Sequence, residues 1–285
     1  MRRIAKYSLI VLAGGFATGL AVVAYSSLHT EAVIRQHMVV VEATGRTAPS
    51  PTVALADLDH LPAPVQRYFR FAFPEPPRPL AFVRMTMAGD FRRPRTEGFA
   101  PTTAEQSVAV GGPALAFAAT TPIAPGVWAR AYDAYAHGEM EMKAKILSTL
   151  TVVDERETPA LNRTSLRRWL LESPLYPEAL LPGGPVRWEA VDEHRARAIV
   201  SHDGLEASLV ATFGENGALL RFDAEEDGDL DTPYHGSGEH VTRDDYRLVV
   251  GAMRPMGFVI ARAAGGEIHP FWRGRVTGLE VRPAP

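Results

Sequence analysis

The N-terminal segment constrains this chain most, because residues 8–28, "SLIVLAGGFATGLAVVAYSSL", contain no charged side chain. A helix rises about 1.5 Å per residue, so this stretch is about as long as the roughly 30 Å hydrocarbon core of a bilayer. Arg2, Arg3 and Lys6 precede it. The pattern predicts a single transmembrane anchor over residues 1–30. A cleaved signal sequence is the alternative, because small residues near Ala24 suit a cleavage site.

Charge around this segment predicts the topology. Basic residues before the apolar run favour a cytoplasmic N-terminus, so the rest of the chain is expected outside the cytoplasm. It would be held at the inner membrane through residues 8–28, or secreted if the leader is cleaved. Of 30 basic and 33 acidic residues, three basic ones precede the run, which leaves a formal charge of −6 for the remainder. We therefore expect no nucleic-acid partner.

Composition after the anchor predicts a linker followed by one domain. Residues 44–52, "TGRTAPSPT", are rich in Pro, Ser, Thr and Gly, so residues 31–56 are interpreted as a linker. A single β-rich domain is expected over residues 57–285. It opens with a short helix, in which Pro64 occupies the first turn and Val65, Tyr68, Phe69 and Ala72 share one face.

Polar and apolar residues then alternate in several stretches, which is the period of a half-buried strand. In "GEMEMKAKIL", residues 138–147, Met140 and Met142 share one face and the charged residues share the other. We interpret residues 139–153 as one long strand with a wet outer face. Short Gly-, Asn- and Asp-containing turns separate further strand-like runs. The predicted fold is mainly β (α+β): a curved antiparallel sheet or half-barrel with a few covering helices.

One helical interval interrupts the strands at residues 162–182. Asn162 or Thr164 is expected to cap it, and Leu166, Trp169 and Leu170 form the apolar stripe. Pro174 is expected to end the helix, and a single turn follows at residues 177–181.

Four stretches carry a family resemblance. They are "LPAPVQRYFRF" (61–71), "LRRWLLESPLYPEALLP" (166–182), the strand around Trp188 and "FWRGRVTGLEV" (271–281). Together they resemble an uncharacterised bacterial family of unknown function. By analogy, the order of strands, helix and strands is similar to the lipoprotein-carrier type of fold, which implies a half-barrel with helices on its concave side.

Two segments with potential metal ligands do not meet the requirements of a metal site. "DAEEDGDLD" (223–231) follows a calcium-loop spacing from Asp223, but Tyr234 stands where the bidentate Glu is needed. "HGSGEH" (235–240) lacks the helical two-His spacing of zinc hydrolases. We predict a solvated acidic turn, no metal site and no cofactor.

The leading functional hypothesis is a membrane-anchored extracytoplasmic module that binds an apolar or lipid-like ligand in the concavity of the sheet. Arg168 and Glu172, four residues apart, would present a charge pair toward the cavity. Thioethers on inward faces would adapt to an apolar ligand. The residues assigned to the ligand-binding surface are Arg67, Gln106, Met140, Met142, Arg168, Trp169, Glu172 and Trp188.

Two alternatives belong to other functional classes. An envelope enzyme would need titratable groups in a cleft, and Arg168, Glu172, Asp192 and His202 are the candidates. No reaction matches them, so no catalytic residue is assigned and a non-enzymatic role is favoured. A structural or interaction protein that uses an exposed strand face is the other alternative. Gly15 and Gly19 form a small-xxx-small spacing that could pair anchor helices, but we assign no oligomeric state from the sequence.

Overall fold

The computed structural model describes residues 2–49, 58–93, 96–230 and 238–285. The expected domain start at residue 57 lies outside the described residues. So do Asp231, Tyr234 and His235 of the acidic and histidine-containing segments.

The described strands form one antiparallel sheet and are numbered in chain order. Its first six strands are β1 (Leu80–Arg92), β2 (Phe99–Ala109), β3 (Ala114–Ala124), β4 (Val127–Ala136), β5 (Glu139–Ile146) and β6 (Leu150–Arg156). The other seven are β7 (Val186–Ala190), β8 (Arg195–His202), β9 (Leu205–Phe213), β10 (Leu219–Asp223), β11 (Glu239–Val249), β12 (Ala252–Ala264) and β13 (Glu267–Pro283). Across the sheet, the strands follow the order β6-β5-β4-β3-β2-β1-β13-β12-β11-β10-β9-β8-β7. The predicted mainly β class is confirmed.

The sheet curves strongly across its width. The turn between β4 and β5 reaches the turn between β8 and β9, where a Cβ on Gly138 would lie 3.0 Å from Cβ of Asp203. Strands far apart in the sheet order therefore meet in space, because the twist between neighbouring strands accumulates across the sheet.

Two helices and two short 3₁₀ turns fill part of the concave side. Helix α2 spans Ala63–Ala72, with the predicted apolar face buried. Helix α3 spans Pro159–Glu172, and the 3₁₀ turns Ser173–Leu175 and Pro177–Leu180 follow it. The predicted cap of α3 was wrong. Thr158 is the N-cap, and its Oγ1 accepts a hydrogen bond from Leu161 N at 3.2 Å.

The strand predicted over residues 139–153 is a hairpin of β5 and β6. Leu147 and Ser148 form the turn with φ angles of 52° and 56°, and Thr149 N donates to Ile146 O at 3.0 Å. Two consecutive positive φ values usually call for Asn and Gly. Leu and Ser give no such signal, so the sequence pattern of a strand continues through the turn.

Helix α1 spans Arg2–Thr47 and therefore continues well beyond the apolar run. Residues 31–47, interpreted as the start of a linker, are helical and lie on the outer face of the sheet. Ile34 packs on Ala118 and Tyr132, and Val41 packs on a group of alanines from β2, β3 and β4. The outer face is covered along this path, which differs from the expected wet face.

Ion pairs fix α1 to the strands beneath it. Glu42 accepts two hydrogen bonds from Arg84, both at 2.7 Å. Arg130 donates to both carboxylate oxygens of Glu31, at 2.8 and 2.9 Å, and to Glu105 at 2.7 Å. Some of the outward-facing charges on the strands thus bind a helix rather than solvent.

Candidate functional site

Strand register places one row of side chains across the inner face of β1 to β5. Its members, in order across the strands, are Met85, Gln106, Phe117, Asp133 and Met142. Helix α3 crosses this row and brings Arg168 and Glu172 onto it. A polar group therefore lies among apolar neighbours on the concave side.

We call Gln106, Asp133, Arg168 and Glu172 the polar cluster. Arg168 donates Nε–H to Glu172 Oε1 at 3.0 Å and Nη1–H to Asp133, and Gln106 Nε2 donates to the other oxygen of Glu172. The guanidinium lies 4.6 Å from the ring centroid of Phe117. A cation held between two carboxylates and over an aromatic face has a fixed orientation.

Burial changes the proton affinities in this region. Loss of hydration raises the pKa of Asp133, and the neighbouring Arg168 only partly offsets this effect. Arg243 lies close by, donates Nη2–H to Leu171 O at 3.1 Å, and has its pKa lowered by burial. Arg168 binds both Asp133 and Glu172, and Arg243 interacts electrostatically with Glu172, so two positive charges accompany two carboxylates.

In and beside the polar cluster, two buried atoms make no hydrogen bond within the described part of the chain: Asp133 Oδ1 and Arg243 Nε. Buried polar atoms are nearly always paired, because an unpaired one costs roughly 1–3 kcal/mol. Asp133 Oδ1 can therefore accept, and Arg243 Nε–H can donate, one further hydrogen bond.

A half-buried apolar strip begins beside the polar cluster. We call Ala129, Ala131, Met142, Ala144 and Ile146 the inner-face strip; all five lie on the concave side of β4 and β5 and stay partly exposed. Helix α3 covers the opposite ends of these strands, where Asn162 Oδ1 accepts a hydrogen bond from Met140 N at 3.0 Å. The strip runs from Arg168, whose side chain is 24% exposed, to the β5–β6 turn.

Of the residues assigned from sequence, the structure brings Gln106, Arg168 and Glu172 together and sets Met142 beside them. Asp133 was missed. The alternation of "VWARAYDAY" puts it on the same face as Tyr135, which is a core residue. An acidic residue at an inward-facing position of the strand was the signal that could have identified Asp133.

Four assigned residues lie elsewhere. Met140 is in the core. Trp169 is buried, with Nε1 donating to Ala109 O at 2.9 Å, and Trp188 donates to Leu180 O at 3.1 Å. Arg67 donates to Glu193 O at 2.6 Å on the surface. These side chains support the fold and do not line the strip.

The four candidates for an enzyme do not meet. Arg168 and Glu172 are paired, but Asp192 binds Arg195 at 2.7 Å beside the turn from β7 to β8. His202 lies at the other end of β8, next to Asp203. The sequence hypothesis of a shared cleft for these residues is therefore wrong.

Asp223 and Glu225 of the acidic stretch have separate partners. Asp223 binds His240 at 2.7 Å and Arg221 at 2.6 Å, while Glu225 binds Arg197 at 2.5 and 2.8 Å. Within the described residues, no three His, Asp or Glu side chains are placed to hold a metal ion.

A model for a family of unknown function (DUF6920) matches residues 59–280. This chain is a member of the DUF6920 family. The match covers the whole sheet except the last residues of β13 and confirms the resemblance seen in the sequence. No curated protein matches this DUF6920 chain.

Two solved structures are similar to this DUF6920 chain at very low identity and low TM-scores. A Vibrio parahaemolyticus domain described as belonging to an outer membrane lipoprotein-sorting protein has a TM-score of 0.41 and 9% identity, over 70% of this chain and 85% of that one. A LolA superfamily protein from Nitrosomonas europaea has a TM-score of 0.35 and 8% identity, over 78% and 94%.

Proposed function

We propose that this protein is a single-pass inner-membrane module whose body lies outside the cytoplasm and binds an apolar or lipid-like molecule on the inner-face strip. Anchoring is supported by α1: among the described residues, one helix is long and apolar enough to cross a bilayer. Ligand binding rests on the strip itself. It is an apolar surface on the concave side of a sheet that the covering helices leave partly open.

The chemistry of the strip suits a flexible hydrocarbon chain. Three of its five residues are alanines, whose small side chains project little above β4 and β5. Met142 adapts to irregular apolar shapes, and each Å² of apolar surface removed from water contributes about 25 cal/mol. Ala131, Ala144 and Ile146 are not part of the main packed core, so a ligand could cover them without displacing it.

Arg168 supplies a polar contact at one end of the strip. Its bonds to Asp133 and Glu172 use Nη1 and Nε, and a guanidinium has five N–H donors in all. The Nη2 group can therefore donate to a carbonyl oxygen of an ester or amide. Because nearby charges balance, we expect recognition of a neutral polar group rather than a strongly anionic one.

Native mass spectrometry of the full chain, extracted from membranes in mild detergent, tests ligand binding. The expected result is an added mass that fits a lipid. Ala144→Trp fills the strip and should remove most of that mass, whereas Ala160→Trp, on an exposed position of α3, should retain it. An unloaded wild-type protein, or equal loading of both variants, would show that the strip is not the binding surface.

A further inference from the structure

The apolar run of helix α1 ends next to the β5–β6 turn. Leu28 is the last residue of the run, and Thr30 is buried, with its Oγ1 3.5 Å from Ser148 O. Lys145 Nζ donates to the same hydroxyl at 3.4 Å. Two residues of helix rise only about 3 Å. The hairpin turn thus lies beside the point where the anchor would leave the bilayer.

The helix is held firmly at this point. Glu31, the next residue, forms the two hydrogen bonds with the buried guanidinium of Arg130, and Ile34 packs on the outer face one turn later. An anchor that continues as one packed helix fixes the orientation of the domain, whereas a flexible linker would leave it free. The β5–β6 hairpin is therefore held at the membrane end of the domain.

The hairpin exposes apolar side chains in that position. Leu150 is 62% exposed and Val152 is 52% exposed, both on the edge strand β6. Trp128 is half-buried next to the turn, and its carbonyl accepts a hydrogen bond from Leu147 N at 2.9 Å. Exposed apolar residues on an edge strand are unfavourable in water. Tryptophan and lysine near such residues are typical of a membrane interface.

We propose that the β5–β6 hairpin rests on the bilayer surface, with Leu150 and Val152 in contact with lipid. This inference relies on the anchoring part of the proposed function. It also gives the inner-face strip an entrance, because Ile146 at the end of the strip pairs with Leu150 in the strand register. An apolar molecule could then pass from the outer leaflet to the strip without crossing water.

Because the chain has no cysteine, one introduced cysteine carries a label at a unique site. Leu150→Cys and Leu248→Cys are matched variants: Leu248 is 58% exposed on β11, eight strands from β6 in the sheet order. Leu20→Cys reports on the anchor. Each full-length variant is labelled with an environment-sensitive fluorophore and placed in vesicles of phosphatidylcholine and phosphatidylglycerol, with or without lipids that carry a nitroxide quencher near the headgroup.

We expect the nitroxide lipids to quench the label at residue 150 several-fold more than the label at residue 248, and the label at residue 20 to lie inside the bilayer. A shielded residue 20 with an unquenched, water-exposed residue 150 would overturn the hairpin proposal and leave the anchor intact. If the label at residue 150 is protected from water but not quenched by the nitroxide lipids, the hairpin contacts another protein chain. That result would also overturn the hairpin proposal. A water-exposed residue 20 would refute the anchor itself.

Discussion

Replacing Glu178 by glutamine tests the buried ion pair that joins the 3₁₀ turn Pro177–Leu180 to β12. The Arg254 side chain has no exposed surface. It donates to Glu178 at 2.6 and 3.1 Å and to Leu175 O at 2.8 Å. In the variant, the guanidinium stays buried without the negative charge of Glu178.

Removing one partner of such a pair costs about 3–5 kcal/mol. For a domain of this size, each kcal/mol lowers the melting temperature by about 2–4 °C, so the expected loss is about 6–20 °C. A double variant, Glu178→Met with Arg254→Met, should recover part of the lost melting temperature because no unpaired buried charge remains.

Thermal unfolding of the full chain in detergent, followed by near-ultraviolet circular dichroism, measures this effect. Glu225→Gln is the matched control. Glu225 also accepts two hydrogen bonds from one arginine, Arg197, but both side chains are at least one-third exposed, so the expected cost is below about 1 kcal/mol. Equal melting temperatures for the two Glu→Gln variants would refute the reasoning that burial decides the energy of these pairs.

Three further predictions follow from other sites. Burial raises the pKa of Asp133 in the folded protein. As the pH rises through that raised pKa, the buried carboxyl group ionises and the free energy of unfolding falls. Asp133→Asn should therefore be less destabilising at about pH 8 than at about pH 4 in urea titrations, and the opposite order would contradict this. Burial lowers the pKa of His37, which packs on Tyr132, so α1 should dock less tightly as the pH falls through that lowered pKa. Hydrogen exchange of residues 31–47, corrected for intrinsic rates, should show this loss in the wild type and not in His37→Gln. Leu147→Asn with Ser148→Gly, at two positive φ angles, should raise the free energy of unfolding by about 1 kcal/mol, and a lower melting temperature would argue against the turn geometry.

Local patterns in the sequence were enough to predict much of the fold. The spacing of Val65, Tyr68 and Phe69 predicted α2. The alternation that predicted a strand over residues 139–153 correctly gave extended chain in β5 despite its many helix-forming residues, although the strand ends at Ile146. Both elements are confirmed, because in each the apolar period matches the face that is buried. The β5–β6 turn was missed because its strained backbone is held by tertiary contacts, such as that between Thr30 and Ser148.

Contacts between distant segments account for the other differences. Residues 31–47 look like the start of a linker when read alone. However, Glu31 pairs with Arg130, about a hundred residues later, and Glu42 pairs with Arg84, about forty residues later. The polar cluster has the same origin. Gln106 and Asp133 become neighbours of Glu172 only through the register of β2, β3 and β4, and no periodicity within one segment encodes that register.

Hydrogen–deuterium exchange of the full chain in lipid nanodiscs tests the central claim most directly, which is that the anchor continues as a packed helix on the outer face of the sheet. We predict that amides of residues 31–47 are protected to an extent similar to those of β3 and β4, because Ile34 and Val41 are buried there. Complete exchange of residues 31–47 within seconds, while β3 and β4 stay protected, would contradict this claim. It would show instead that residues 31–47 form a flexible linker.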